Sequence, residues 1–247
     1  MNVARYGNAF AIFVRPTASL LPSPALAAPF AAAAELRCRA AIKSGMTPDS
    51  LKHGPLTSRA AHLCVDVQNL FLEPTPWHVP WLGRILPAIE RISLLHPERN
   101  IFTRFIPPRA AQDLPGMWRR YYERWPEMLR DRLDARLLQL VPSLDAIAAL
   151  GLVLDKAVYS PFANPRLLRH LRERTIDSLV VTGVETDVCV LGAVLSAVDE
   201  GFRVVLVKDA LGSSSDATHD ALLQVYATRL NAQIELADAA TIAAIWL

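Results

Sequence analysis

An aspartate, a lysine and a cysteine stand in this chain at positions that would close a strand or open a helix. Together they could run nucleophilic chemistry on a carbonyl. Asp66 lies between Val65 and Val67, Lys156 ends Leu154-Asp155-Lys156, and Cys189 follows Gly183-Val184-Glu185-Thr186-Asp187-Val188. A thiol attacks as its thiolate, so it needs a group to take its proton and a positive charge to hold the anions. A carboxylate and an ammonium are those groups. Thr186 reads as the N-cap of a helix that Gly201 stops, which places Cys189 in the first turn. Unpaired N–H groups and the positive dipole end there would lower a thiol pKa and receive an oxyanion. Each residue also has a plainer reading. Asp66 could cap a turn, Lys156 could reach along the surface to solvent, and Cys189 could be a small buried hydrophobe.

The elements that must position these residues alternate. Residues 62–67, 100–106, 152–156, 178–182, 203–208 and 233–236 read as six strands, several of them near-continuous Val and Leu. Between them, 81–96, 164–174 (opened by Asn164-Pro165), 187–200 and 216–230 read as helices, with a further helix at the end. Residues 116–140, rich in aromatics and Arg, read as helix and loop. Apolar strands joined by helical crossovers predict an α/β fold: a three-layer sandwich with a central, mostly parallel six-stranded sheet and helices on both faces. In such a sheet the ligand site lies outside the carboxyl ends of the strands, where strand order reverses.

The 247 residues are 52% hydrophobic and 20% charged, which excludes a disordered chain, and Lys plus Arg is 26 against 24 for Asp plus Glu. Residues 1–45 carry five basic residues and one acid, so the remainder holds 21 basic against 23 acidic residues. Such a balance gives no reason to expect a nucleic-acid partner. No apolar run approaches the roughly 20 residues of a membrane span, so no membrane partner is expected. Three cysteines, Cys38, Cys64 and Cys189, make no disulfide framework and point to a reducing, cytoplasmic location. No phosphate-binding glycine loop is present, and no cofactor is expected. Residues 1–45, Ala-rich with scattered prolines, read as an extension outside a domain of 46–247, with Met46 as the functional start. A secretory signal and a transit peptide are the alternatives.

Four motifs occur in order: Cys64-Val65-Asp66-Val67-Gln68-Asn69 with Phe71; Asp155-Lys156-Ala157-Val158-Tyr159-Ser160-Pro161-Phe162; Val181-Thr182-Gly183-Val184-Glu185-Thr186-Asp187-Val188-Cys189-Val190; and Val207-Lys208-Asp209-Ala210 with serines at 213–215. On these the chain, over about residues 60–237, resembles the isochorismatase-like cysteine hydrolases. The resemblance implies Asp66 as general base, Cys189 as nucleophile and Lys156 as the charge that orders both. It also implies a cis peptide between Val184 and Glu185, with the Glu185 and Cys189 N–H groups as an oxyanion hole. The implied reaction is hydrolysis of a small amide, ureide or carbamoyl C–N bond through an acyl-enzyme. A small-molecule substrate and assembly as a dimer or tetramer go with it.

Family members that hydrolyse nicotinamide carry an Asp and closely spaced histidines after the second strand. Here that region is Thr103-Arg104-Phe105-Ile106-Pro107-Pro108, and none of the six histidines pairs at ligand spacing, so no metal is expected. Phe71, Arg104, Trp118, Tyr122 and Tyr159 are the candidate substrate contacts, with Arg104 available to a carboxylate. Residues 116–125 read either as a lid or as an amphipathic helix packed on the core, and Ser213–Ser215 with Asp216 as a helix cap. The alternative function is a catalytically silent protein that uses the same pocket for binding or an exposed face for assembly. A redox-sensing cysteine would need a nearby resolving thiol, and none is close in sequence.

Overall fold

The computed structural model describes residues 51–246, and the expectations for residues 1–45 and Met46 lie outside them. The elements in chain order are β1 (Ala60–Val65), α1 (Asn69–Leu72), α2 (Leu82–Ser93), β2 (Asn100–Phe105), α3 (Gly116–Arg124), α4 (Pro142–Ala148), β3 (Leu152–Lys156), α5 (Pro165–Glu173), β4 (Ser178–Val184), α6 (Cys189–Asp199), β5 (Arg203–Gly212), α7 (Asp216–Thr228), β6 (Ile234–Ala237) and α8 (Ala239–Ile245). The strands form one sheet in the order β3-β2-β1-β4-β5-β6. Every pairing is parallel, where the sequence suggested mostly parallel.

The sheet is covered on both faces, as its residue content demands. All of β1 and all of β4 are buried, so neither strand shows the alternation of a half-solvated sheet. On one face α2 packs against β1, β4 and β5 and meets α4 and α8, whereas α6 packs on β4 and β5 from the other. Leu82, Ile85, Ile89 and Ile92, at helical spacing, are the buried stripe of α2. Asn164 caps α5 through its side chain, ahead of Pro165, as expected. Among the described residues no helix is long and apolar enough to cross a membrane.

Strand order runs outward from β1 through β2 to β3, then returns to β4 beside β1. The reversal between β1 and β4 opens the crevice where an α/β sheet binds ligands. At this seam β4 must pass close to β1. Gly183 has φ +113°, and a Cβ there would lie 2.1 Å from the Val65 carbonyl oxygen. Only glycine fits at the position that sets β4 against the residue before Asp66.

Beneath the seam His62 is wholly buried, with Nδ1 2.7 Å from Asn100 Oδ1 and Nε2 2.7 Å from Thr182 Oγ1. Burial, partly offset by Asn100, lowers its pKa from 6.5 to about 4. The unfolded chain therefore binds a proton at a higher pH than the folded one does. Stability from this site is complete above pH 6.5 and is lost as pH falls toward 4, at about 1.4 kcal/mol per pH unit, or roughly 3 kcal/mol in all. Urea unfolding of the wild type should show this slope and His62→Gln should flatten it; equal slopes would refute the assignment.

Candidate active site

β1 ends at Val65 and Asp66 follows with φ +52°, in the left-handed region that Asp tolerates better than most residues. Its N–H donates to Thr103 Oγ1 at 3.1 Å, and the Thr103 hydroxyl donates to Asp66 Oδ1 at 2.6 Å. Lys156 closes β3, two strands away, and its stem crosses over β2. Nζ lies 4.9 Å from the centre of the Phe105 ring, 2.7 Å from Asp66 Oδ2 and 3.3 Å from Cys189 Sγ. It also donates to the Val158 carbonyl at 3.2 Å. The Asp66 and Lys156 side chains are 0% and 2% exposed, and Cys189 is 6% exposed. Three residues far apart in sequence thus meet at the carboxyl edge of the sheet. The surface reading of Lys156 does not hold, and the Asp66 carboxylate meets Thr103 and Lys156 rather than capping a turn.

Burial alone would lower the Lys156 ammonium, but the charges of Asp66 and Cys189 and their hydrogen bonds outweigh it and raise its pKa. Burial pushes the Cys189 thiol up; the Asp66 charge and hydrogen bond push the same way, and Lys156 pulls only part of it back. The resting site is therefore a thiol beside an ion pair. A thiol lowered by its helix position, expected from sequence, is overridden by desolvation.

The cap differs as well. α6 begins at Cys189 itself, after Val188, with no side-chain cap. Thr186 instead donates to the Gly212 carbonyl at 3.1 Å and bonds His219 Nδ1 at 2.8 Å, so its hydroxyl is committed to β5 and α7. The Val184–Glu185 peptide is cis, as the resemblance implied. The Glu185 carbonyl accepts from Val188 and Val190, whereas the Glu185 and Cys189 N–H groups have no partner among the described residues.

Aromatic rings surround the triad. Trp118 lies 4.8 Å from Tyr159 and 5.6 Å from Tyr121, between ring centres. Trp118 is partly buried and Tyr159 is 40% exposed, so the two form a rim. Burial raises the Tyr121 and Tyr159 phenols, and the charges of Cys189 and Glu185 raise both further. Sequence reading missed Tyr121, although its place three residues after Trp118 puts it on the same helical face. Trp77, which packs on Phe105, Tyr121 and Tyr122, was missed too.

Two of the proposed substrate contacts are corrected. Tyr122 has no exposed surface and packs between Trp77 and Tyr121, so it stands behind the wall. Arg104 bonds Asp155 at 2.7 and 3.1 Å and Gln139 at 2.7 Å. Strand alternation turns it away from Thr103 and Phe105, and its guanidinium is not free for a substrate carboxylate. Phe71 is buried in α1. Ser215 caps α7 as expected, but Ser213 and Ser214 hold Glu185, and Ser213 also donates to Asp187 at 2.6 Å. Among the described residues no three His, Cys, Asp or Glu side chains are grouped to hold a metal ion. The β2 end offers a hydroxyl, a paired guanidinium and a phenyl ring, which do not fit one.

Fold and site together define an α/β protein with a buried Asp–Lys–Cys cluster at the switch point of a parallel sheet. The chain belongs to the isochorismatase family: the isochorismatase domain model matches residues 60–238. An uncharacterised isochorismatase family protein of Bacillus subtilis is 40% identical over 81 residues, 33% of this chain and 44% of that protein. The chain thus spans less than half of that relative. Maleamate amidohydrolase of Pseudomonas putida is 27% identical over 173 residues, covering 67% of this chain and 78% of the enzyme. Among solved structures, a cysteine hydrolase from Pseudomonas syringae pv. phaseolicola superposes with a TM-score of 0.66 at 22% identity, covering 80% of this chain and 97% of that one. N-carbamoylsarcosine amidase from Thermoplasma acidophilum gives 0.58 at 19% identity, covering 73% and 96%. At such identities these two likenesses carry the fold alone.

Proposed function

We propose that the protein is a cysteine-dependent hydrolase of a small amide, ureide or carbamoyl C–N bond, acting through a thioester acyl-enzyme. The observation that carries this reading is the Lys156 ammonium placed between a buried carboxylate and a buried thiol, 2.7 Å from one and 3.3 Å from the other. Membership of a family that includes amidohydrolases supports it.

In this reading Asp66 takes the proton of Cys189 as Sγ bonds to the carbonyl carbon. The displaced electron pair moves to the carbonyl oxygen, which rests on the Glu185 and Cys189 N–H groups. When the tetrahedral intermediate collapses, the C–N bond breaks and the proton on Asp66 leaves with the nitrogen. Water then gives a proton to Asp66 and attacks the thioester; the acid departs, and the proton returns to Sγ. Lys156 stays charged throughout and stabilises first the carboxylate, then the developing thiolate. Base, nucleophile and electrostatic support all come from side chains, so no step runs through a metal. The rim of Trp118, Tyr121 and Tyr159 bounds the substrate.

The test is ammonia or amine release from a panel of small carboxamides, ureides and carbamoyl compounds. Turnover of at least one class is the expected result. A silent panel, with the thiol intact, would remove the reading.

A further inference from the structure

We propose that Thr103 is a positioning residue for the Asp66 base, fixing which carboxylate oxygen faces Lys156 and so how the carboxylate is set beside the nucleophile; this rests on the reading of Asp66 as base. Thr103 sits in β2 among buried residues and is itself 0% exposed. Its hydroxyl is spent on one residue. The oxygen accepts from the Asp66 N–H at 3.1 Å, and the proton is donated to Asp66 Oδ1 at 2.6 Å. The first bond holds the left-handed backbone at Asp66. The second ties Oδ1 to β2, which leaves Oδ2 toward Lys156 Nζ at 2.7 Å.

A carboxylate turns about a broad, two-fold torsion, so nothing intrinsic to aspartate selects one oxygen. Without the hydroxyl, both oxygens are free to turn onto the ammonium, and the base is drawn away from the thiol. The titratable groups facing Asp66 are Lys156 from β3, Cys189 from α6 and Cys64 on its own strand. Lys156 and Cys189 remain in every Thr103 variant, and so does Cys64.

Iodoacetamide, a small amide-bearing alkylator, is the probe. Its rate of reaction at Cys189 is followed by peptide mass across pH 4 to 9, with the fully buried Cys64 as internal reference. Thr103→Val should slow modification about 10- to 100-fold at pH 7 and displace the acid limb of the profile. Thr103→Ser, which keeps the hydroxyl, should restore both. Thr103→Ala removes the same hydroxyl without adding a methyl beside the charges. It should repeat the valine result and serves if valine prevents folding. A wild-type rate and limb in Val and Ala, or slowing in Ser equal to that in Val with the limb unmoved, would overturn the proposal. Asp66→Asn separates the two ideas. A flat acid limb there with an unaltered Thr103→Val profile sinks the Thr103 role alone, whereas an unaltered limb in Asp66→Asn sinks the base on which it rests.

Discussion

Cys189→Ala is expected to abolish amide hydrolysis, with kcat/KM at least about 10³-fold below wild type and folding retained. Among the described residues no second thiol stands ready: Cys64 is wholly buried in β1, its pKa pushed up to about 12 mainly by burial. What survives should come from binding and from the Glu185 and Cys189 N–H groups, neither of which the substitution removes. Cys189→Ser should be nearly as inactive, because a hydroxyl is harder to deprotonate than a thiol and this pocket already opposes ionisation. Calorimetry checks the fold. A truncated buried sulfur should cost no more than about 2 kcal/mol. Alanine with wild-type turnover would eliminate the covalent route.

Lys156→Met should produce the second large effect, in stability and activity together. The variant keeps the stem but leaves Asp66 as a buried, unpaired carboxylate, a change worth about 3–5 kcal/mol. Because protonation of Asp66 would relieve that cost, the variant should lose stability as pH rises from 4 to 8. In the wild type the Lys156 contribution is constant over that range: its pKa is raised, so the contribution is complete below pH 10.5 and is lost only as pH rises from there through the folded value. Combining Lys156→Met with Asp66→Asn should recover most of the stability, since the lone charge is gone, and none of the turnover. Denaturant titrations of the wild type, the single and the double variant measure this. A single variant as stable as wild type at pH 8 would mean that the two side chains are not coupled.

The sheet was legible because its strands are buried on both faces. A run such as Ser178–Val184 carries no alternation to misread, and length with bounding turns marks it as a strand. Boundaries shifted where backbone geometry decides. β1 stops at Val65 because Asp66 turns into the left-handed region, and β5 continues to Gly212, well past Lys208. Residues 116–140 resolved into α3 and several 3₁₀ turns, since their aromatics and arginines hold no single period. The short helices Asn69–Leu72 and Pro142–Ala148 were not separated from loop, and at four and seven residues they offer little pattern to read.

At the site, residue type and strand-end position were enough to nominate Asp66, Lys156 and Cys189. The direction of Arg104 was recoverable and was not recovered. Arg104 is in register with Asp155, and Phe105 with Lys156, so a Lys156 turned toward Asp66 puts Arg104 on the far face. Thr186 failed as a cap for a reason invisible in sequence, because its hydroxyl partners come from Gly212 and His219.

The central claim is a covalent bond between Cys189 and the acyl half of the substrate. Acid-quenched mixtures of enzyme with a hydrolysed amide, digested and weighed, test it directly. The peptide holding Cys189 should gain the mass of the acyl group within the first turnover, and hydroxylamine should remove it. Steady ammonia release with that peptide at its unmodified mass at every quench time would contradict it.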